Sequence, residues 1–298
     1  MKNKPGRECL ICGSKDTTAK QAVIADFLLE RIWNNESGKQ TELIFCKDCG
    51  FAFYSLRPTD EEMSQLYSGY RNEQYQKQRQ KFESWYTEEI NSCKEDLEVY
   101  ESRQNHMKET LQENAIDTSA IHSVLDYGGD TGINIPRVFD NAKKYVFEIS
   151  GARPETGVIG ITNLDELKER KYDFIMNTAV LEHVSDPYQI LANISEISGN
   201  SSLVYLEVPY DSPFYKKKLD NLQFLFNKKF SKKAILKQFL LRVKNPHIMH
   251  EHINFFTPRS LEIMVKNMGW GIIDVQIKKV KDHIMGRTRH LFVLVKTK

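Results

Sequence analysis

Four cysteines near the start of the chain form two Cys-x-x-Cys pairs, Cys9 with Cys12 and Cys46 with Cys49. Each pair can place two sulfur atoms on one tight turn, and the glycine after each pair supplies the positive φ that such turns favour. Two matched pairs predict a Zn²⁺ ion held by four thiolates, with redox dithiols or a disulfide as the alternative. Because four protein ligands leave no open position for catalysis, we expect this metal to be structural.

A glycine-rich turn follows an apolar run in the segment Val124–Gly132, with Asp126 at the end of the run. Such a turn brings the backbone close to a ligand, and a helix is expected just behind it. Carboxylates at Asp126 and Asp130 would repel a pyrophosphate but suit a cationic ligand with an amino group. Glu148 ends the next apolar run, where an acid can accept both ribose hydroxyls. The pattern predicts a cofactor site rather than an ordinary turn, formed by Asp126, Gly128, Gly129, Asp130, Gly132 and Glu148.

Several polar side chains are candidates for removing a proton from a substrate. His183 would lie at the carboxyl edge of the predicted sheet, where doubly wound folds bind ligands, and can be a base or order its loop. Glu207 is expected at the same edge, where it can bind a hydroxyl or orient a base. His250 and His252 form a His-x-His that can reach this edge or only satisfy neighbouring loops.

Apolar runs alternate with helical segments from about residue 121 onward, which predicts parallel strands covered on both faces. The fold class is therefore α/β, a Rossmann-like seven-stranded sheet preceded by a zinc-ribbon module and a helical linker. The last two strands are separated only by a loop that contains Gly286, so we expect an antiparallel hairpin at the sheet edge. The strand candidates are 123–127, 144–149, 157–161, 173–177, 203–208, 271–278 and 290–295.

Three segments are expected along the chain. Residues 1–56 form the zinc-binding module, which is too small to fold by apolar burial alone. Residues 57–118 form a helical linker or cap, and residues 119–298 form the α/β domain. Within that domain, residues 213–247 are a lysine-rich amphipathic insertion. The insertion can be a solvated face over a small core, attract an anionic substrate, or contact an anionic membrane peripherally.

The formal net charge of +2 is too close to zero for nucleic-acid binding by bulk electrostatics, so no nucleic-acid partner is expected. The first six residues contain no apolar run that could serve as a signal peptide. No stretch approaches the roughly 18 apolar residues that a spanning helix needs. We therefore expect a cytoplasmic protein, in a reducing compartment where thiolates hold metal. The oligomeric state is left open.

These motifs resemble those of the class I S-adenosylmethionine-dependent methyltransferases. The run Val124–Gly132 is similar to the first motif of that family, except that Asp130 replaces the usual middle glycine. The segment Tyr172–Val184, with Asp186-Pro187 after it, is similar to the fourth-strand motif, and the resemblance covers about residues 121–298.

The resemblance implies S-adenosylmethionine as cofactor and assigns its parts to particular residues. The turn that begins at Asp126 would hold the methionine moiety, and Glu148 would hold the ribose. Asn163 and Leu164 would border the adenine, and Asn177 with Thr178 would form the floor of the reaction site.

The cysteine pairs, the tyrosine-rich start of the linker and the stretch His250–Thr257 resemble, more narrowly, bacterial methyltransferases of deoxysugars and surface polysaccharides. That resemblance implies a sugar-nucleotide or phosphorylated glycan substrate, methylated on oxygen or carbon, with Tyr70 or Tyr75 reaching the cofactor. The alternatives are methyl transfer to a small metabolite, RNA or protein. A further alternative is a non-catalytic zinc-ribbon binding module with an idle Rossmann-like domain.

Overall fold

The computed structural model describes residues 7–36, 38–70, 72–84, 86–91, 97–210, 247–282 and 286–297. The chain divides into two compact units, which are described separately. Unit 1 comprises Met1–Cys93 and Asp211–Thr257, and unit 2 comprises Lys94–Tyr210 and Pro258–Lys298. These boundaries differ from the three predicted segments, because the predicted linker is divided between the units and residues 247–257 belong to unit 1.

Unit 1 contains a five-stranded sheet. Strands β1 (Thr17–Ile24), β2 (Thr41–Cys46) and β3 (Ala52–Tyr54) form antiparallel pairs. Two short strands complete the sheet: β9 (Ile248–Met249) runs parallel to β1, and β10 (Asn254–Phe255) runs antiparallel to β3. The stretch around His250 therefore belongs to the same sheet as Cys46 at the end of β2, whereas the sequence placed it in the segment 119–298.

The described helices of unit 1 are α1 (Asp26–Trp33), α2 (Asp60–Tyr67), α3 (Glu73–Phe82) and α4 (Glu88–Asn91). Thr59 begins α2 with a capping box, in which its side chain accepts from the Glu62 amide and the Glu62 side chain accepts from the Thr59 amide. Such caps each contribute about 1 kcal/mol. The apolar sides of α1, α2 and α3 pack with the sheet in one core.

Unit 2 contains a seven-stranded sheet, which confirms the predicted α/β fold. Its strands are β4 (Ser123–Tyr127), β5 (Lys143–Phe147), β6 (Val158–Ile161), β7 (Tyr172–Thr178), β8 (Ser198–Pro209), β11 (Gly271–Asp282) and β12 (Gly286–Lys296). Their order is β11-β12-β8-β7-β4-β5-β6, and β12 is antiparallel to both of its neighbours. The direction of strand addition reverses between β4 and β7, so this is the point where doubly wound sheets bind ligands.

The described α-helices of unit 2 are α5 (Leu97–Glu113), α6 (Leu164–Lys168), α7 (Pro187–Ile197) and α8 (Pro258–Asn267). On one face of the sheet, Met107 and Leu111 of α5 pack in a core with strand residues such as Phe174 and Phe292. Among the described residues, no helix is both long enough and apolar enough to cross a membrane. The predicted insertion 213–247 lies outside the described residues, except for His247.

The helix expected behind the glycine-rich turn is absent, so that prediction was wrong. Between β4 and β5 the chain forms turns and only one 3₁₀ helix, Arg137–Phe139. Pro136 explains this difference, because a proline disfavours helical backbone in the residue before it. The turn consequently lacks the positive helix end that would favour an anion, which agrees with the expectation of a cationic ligand.

Candidate active site

Asp126 lies near the end of β4, and its side chain is completely buried. Neither carboxyl oxygen has a hydrogen-bond partner among the described residues. Burial raises the pKa of Asp126 to about 7, and the negative charges of Glu148 and Glu207 add to the effect. A buried acceptor without a donor is costly, so this position is suited to a ligand that supplies N–H donors and positive charge.

The glycines of the turn are required by neighbouring protein atoms. A Cβ atom at Gly129 would lie 2.1 Å from the carboxyl carbon of Asp126. Cβ atoms essentially never come closer than 3.0 Å to such atoms. Gly128 has a φ of +77°, and a Cβ there would lie 2.7 Å from Val180. Gly132 has a φ of +79°. The sequence predicted close approach to a ligand, whereas at Gly128 and Gly129 the atoms in close approach belong to the protein.

Asp130 and Glu148 connect the turn to the end of β5. The backbone N–H of Asp130 donates to Glu148 Oε2 over 3.0 Å, and the N–H of Ser150 donates to Glu148 Oε1 over 2.8 Å. Asp130 adopts a φ of +55°, the left-handed conformation that the usual glycine would take freely. Each carboxylate oxygen can accept more than one bond, so Glu148 keeps capacity for ribose hydroxyls.

Asn177 and Thr178 lie at the end of β7, beside β4. The Asn177 side-chain amide donates to the carbonyl of Tyr127 over 3.0 Å. Its Oδ1 and the Thr178 hydroxyl are buried without a hydrogen-bond partner among the described residues. Thr178 is in register with Glu207 of β8. Polar atoms without a hydrogen-bond donor therefore lie at the ends of β4 and β7, where the strand order reverses.

Asn163 and Leu164 lie where α6 begins. The Asn163 side chain caps α6 by accepting from the Asp165 amide over 2.7 Å. Leu164 is 39% exposed, and Ile149, directly after Glu148, is 56% exposed. Exposed apolar side chains next to strand ends suit the faces of an adenine ring, although contacts of Asn163 and Leu164 with adenine stay predictions.

His183 and Glu207 occupy different environments in unit 2. His183 lies in the turn after β7, where its backbone N–H donates to the Val180 carbonyl over 2.9 Å and its side chain is 20% exposed. Glu207 is buried, with Oε1 3.1 Å from Arg103 Nε and 2.8 Å from His290 Nδ1. Burial opposes ionisation of Glu207, but Arg103 and His290 together hold its pKa below the ordinary value.

The sequence did not predict Arg103 and His290 as residues of the site. Arg103 comes from α5 and His290 from the start of the last strand, so no local motif joins them to Glu207. The available signal was His290 itself, which stands at the edge of the apolar run Leu291–Val295. Such a polar side chain is buried only with a partner.

The other candidates belong to unit 1, where Tyr75 and His250 contact a buried ionic cluster. Arg79 donates to both oxygens of Glu251 over 2.8 and 3.1 Å, and its Nε donates to Glu83 over 2.6 Å. Tyr75 is 1% exposed and donates to Glu251 over 3.1 Å. His250 Nδ1 lies 3.2 Å from the second oxygen of Glu83.

Tyr70 packs edge-on against Tyr75, with ring centroids 5.3 Å apart. Burial raises the pKa of Tyr75 above its ordinary range, so its phenol stays a neutral donor. His252 is half-buried between β9 and β10. The predicted roles of Tyr70, Tyr75, His250 and His252 in the reaction stay predictions.

The four cysteines of the two pairs converge in unit 1. Their sulfur atoms all lie within 4.8 Å of one another, with Cys9 and Cys49 3.5 Å apart and Cys12 and Cys46 3.6 Å apart. A tetrahedral ion with metal–sulfur bonds of about 2.3 Å separates its ligands by about 3.8 Å. The hydrogen bond from Cys49 lowers the pKa of Cys9 to about 5, which favours its thiolate. The donor set therefore fits a metal ion.

A protein family described as a methyltransferase domain matches residues 99–275, more than half of the chain. The chain belongs to this family. It is an S-adenosylmethionine-dependent methyltransferase, which confirms the activity and the cofactor expected from the sequence. No curated protein matched the chain.

Solved structures similar to this methyltransferase include magnesium protoporphyrin IX methyltransferase from Synechocystis PCC 6803 with bound SAH, at 11% identity and a TM-score of 0.43. That match covers 67% of this chain and 86% of the other. A SAM-dependent methyltransferase from Methanosarcina mazei has 13% identity and a TM-score of 0.40, covering 58% of this chain and 91% of the other.

The residues of unit 2 fit the cofactor of this methyltransferase. Asp126 would accept from the ammonium group of the methionine moiety, and Glu148 would accept from the ribose hydroxyls. S-adenosylmethionine supplies a methyl group that is already activated by a positively charged sulfur. The chain therefore has to align an acceptor and remove its proton.

Gly129→Ala should weaken S-adenosylmethionine binding at least tenfold and lower the free energy of unfolding by roughly 1–3 kcal/mol. The added methyl group would collide with the buried carboxyl of Asp126, so the turn must move. Calorimetric titration and denaturant unfolding measure the two effects. Gly199→Ala is the matched control, because its Cβ would meet nothing closer than 3.5 Å. Equal behaviour of the two variants would contradict the role of Gly129.

Proposed function

We propose that this methyltransferase acts on a sugar or glycan precursor that is nucleotide-linked or otherwise phosphorylated, and methylates its oxygen or carbon. The supporting observation is that the segments behind the narrower resemblance form one packed body. The Thr257 hydroxyl donates to the Cys49 carbonyl over 2.6 Å, and Tyr75 donates to Glu251 over 3.1 Å. The cysteine module, the tyrosine-rich helix and the His250–Thr257 stretch are thus one structure within unit 1.

The polar side chains in this body suit an acceptor that is rich in hydroxyl groups. His250 is 40% exposed, and the buried carboxylate of Glu83 lies 3.2 Å from its Nδ1. This contact orients the ring, so Nε2 is the ring atom left to contact a hydroxyl group. An imidazole oriented in this way can form a hydrogen bond with a sugar hydroxyl. A small-metabolite O-methyltransferase is the second candidate, because the same pair would serve any hydroxyl.

We also propose that the four-cysteine cluster holds Zn²⁺ as a structural ion and that the protein works in the cytoplasm. Four thiolates are the preferred ligand set of structural zinc, and a reducing compartment keeps them available. The lysine-rich insertion, which lies outside the described residues, is proposed to attract an anionic substrate or an anionic membrane. A salt-dependent KM without vesicle binding would favour the substrate.

The test of the substrate class is methyl transfer from S-adenosylmethionine to a panel of nucleotide sugars and sugar phosphates. We expect mass spectrometry to show one added methyl group on at least one panel member, together with release of SAH. The panel includes hydroxylated metabolites without a sugar as a comparison. Turnover of these metabolites alone would replace the sugar proposal by the second candidate. Failure of the protein to bind S-adenosylmethionine would favour the idle binding module.

A further inference from the structure

Three side chains of unit 2 lie in line at the carboxyl edge of the sheet. Glu207 Oε1 is 2.8 Å from His290 Nδ1, and His290 Nε2 is 2.9 Å from the Thr288 hydroxyl. Both residues of β12 sit near its start, and His290 pairs with Pro209 at the end of β8. The contact with Glu207 is an ion-pair distance without hydrogen-bond geometry, whereas the contact with Thr288 is a hydrogen bond. A carboxylate near Nδ1 and a hydroxyl on Nε2 resemble the arrangement by which an imidazole takes a proton from a hydroxyl.

The neighbouring charges of α5 favour an ionised Glu207. Arg103 of α5 pairs with Glu207, and Arg103 and His290 hold the pKa of Glu207 below its ordinary value although burial opposes ionisation. His106 of α5 also faces this cluster, and burial lowers its pKa, so it stays neutral. Lys278 of β11 is the register partner of His290, and its ammonium group lies 3.9 Å from Glu109 and 4.0 Å from Glu113 of α5.

This line of side chains adjoins the reaction site already described. Glu207 is in register with Thr178, and its backbone carbonyl accepts from the Ala179 amide over 2.9 Å. The charge of Glu207 acts on Asp126 strongly enough to contribute to its raised pKa. Thr288 is partly exposed, whereas Glu207 and His290 are buried. The exposed end of the line is thus a hydroxyl at the edge where the sheet binds ligands.

We propose that Thr288, His290 and Glu207 form a proton relay that deprotonates the acceptor hydroxyl during methyl transfer. The relay rests on the proposed hydroxyl acceptor. Thr288 contacts the acceptor, His290 takes the proton through the Thr288 hydroxyl, and Glu207 holds the ring in the tautomer with Nδ1 protonated.

The step balances in atoms and in charge. The bond between the methyl carbon and sulfur breaks with its electron pair left on sulfur, and an oxygen–carbon bond forms on the acceptor. The acceptor proton moves to the Thr288 oxygen as the Thr288 proton moves to His290 Nε2. Methyl transfer removes one positive charge at sulfur, and the protonated imidazole restores one. The net charge of the buried site is unchanged, so little electrostatic energy is lost in this low-dielectric environment.

The tautomer of His290 tests the relay without any acceptor. The full chain is labelled with ¹⁵N-histidine, and long-range proton–nitrogen correlation spectra are recorded, with the signal of His290 assigned by its loss in His290→Gln. In the neutral ring, we expect the proton on Nδ1 and not on Nε2. A ring protonated on Nε2, or one that stays fully charged up to about pH 9, would overturn the relay, because Nε2 could then accept no proton.

Kinetics of Thr288 variants separate the relay from a structural role. With the acceptor identified by the panel, we expect Thr288→Val to lower kcat about 100-fold with KM changed less than about threefold. Thr288→Ser keeps the hydroxyl and should restore turnover. Cofactor affinity of both variants, measured by calorimetric titration, should equal that of the native protein. Unchanged kcat in Thr288→Val, with a large loss in His183→Ala or His250→Ala, would overturn the relay.

The two tests keep this inference distinct from the proposed substrate. If no sugar is methylated but another hydroxylated compound is, the substrate class fails and the same kinetic comparison is made with that compound. If methylation occurs on carbon or nitrogen only, the relay to a hydroxyl is overturned. In every case, the His290 tautomer is determined independently of the acceptor.

Discussion

Asp126→Asn should weaken S-adenosylmethionine binding roughly 100-fold at pH 8, as expected for loss of a buried charge-assisted hydrogen bond. The carboxyl group is completely buried, and its oxygens have no partner among the described residues. In the native protein, the ammonium group of the cofactor would be its donor and its counter-charge. An amide of the same shape keeps an acceptor oxygen but cannot neutralise the cation.

The same variant should remove the pH dependence of binding. The pKa of Asp126 is raised to about 7, so the group is mostly protonated at pH 6 and ionised at pH 8. Because the cation needs the ionised form, native affinity should be roughly tenfold lower at pH 6 than at pH 8. Calorimetric titration measures the dissociation constant of the cofactor at each pH. Its logarithm should change with pH for the native protein and stay nearly constant for Asp126→Asn.

The free energy of unfolding of the protein without cofactor should fall as pH rises, whereas its cofactor affinity should increase. An acid whose pKa is raised by folding stabilises the folded state fully below its unfolded pKa, near 4, and loses that contribution as pH rises towards 7. Relative to Asp126→Asn, the native free energy of unfolding should therefore fall across this interval, by an amount on the order of 1–4 kcal/mol. Asp140→Asn, at an exposed carboxylate paired with Lys144, is the control. Equal pH slopes in all three proteins would refute the role of Asp126.

The seven-stranded sheet was predictable from the sequence because its strands are buried on both faces. Segments such as Phe174–Met176 and Leu291–Val295 are nearly continuous apolar runs, which periodicity identifies well. The acids at strand ends were predictable for the same reason. Once the strands are placed, Asp126 and Glu148 must meet at one edge of a parallel sheet.

The parts that the sequence did not reveal depend on contacts between distant segments. Strands β9 and β10 have two residues each, so they carry no periodic signal, and only pairing with β1 and β3 defines them. The partly buried Arg103 and its buried neighbours Glu207 and His290 come from a helix and two strands that are far apart in the chain. The missing helix after Gly132 was, by contrast, signalled locally by Pro136.

Cys46→Ser should abolish stoichiometric zinc binding and unfold the cysteine module at temperatures where the native protein is folded. Cys46 is completely buried at the end of β2. Its carbonyl accepts from the Gly50 amide over 3.0 Å, within the turn that contains Cys46 and Cys49. Structural zinc contributes about 10–16 kcal/mol of apparent binding free energy in small domains, and loss of one thiolate removes much of it. Metal analysis and thermal unfolding followed by circular dichroism measure the two effects.

Cys93→Ser is the matched control, because Cys93 lies outside both pairs in the sequence. We expect it to retain the native zinc content and melting temperature. Chelation of the native protein should reproduce the Cys46→Ser phenotype, and added Zn²⁺ should restore only the native chain. A Cys46→Ser protein that is free of zinc and as stable as the native one would show that the cluster is not a structural metal site.

The geometry also argues for a metal ion against the disulfide alternative. Two sulfur pairs, at 3.5 and 3.6 Å, each join one cysteine of the first Cys-x-x-Cys pair to one of the second. A disulfide bond would require sulfur atoms about 2.05 Å apart, so the two Cys-x-x-Cys turns would have to approach each other. Burial and the neighbouring thiols raise the pKa of Cys12 to about 11, so without a cation it remains protonated. A divalent ion among the four sulfurs removes this conflict by stabilising every thiolate at once.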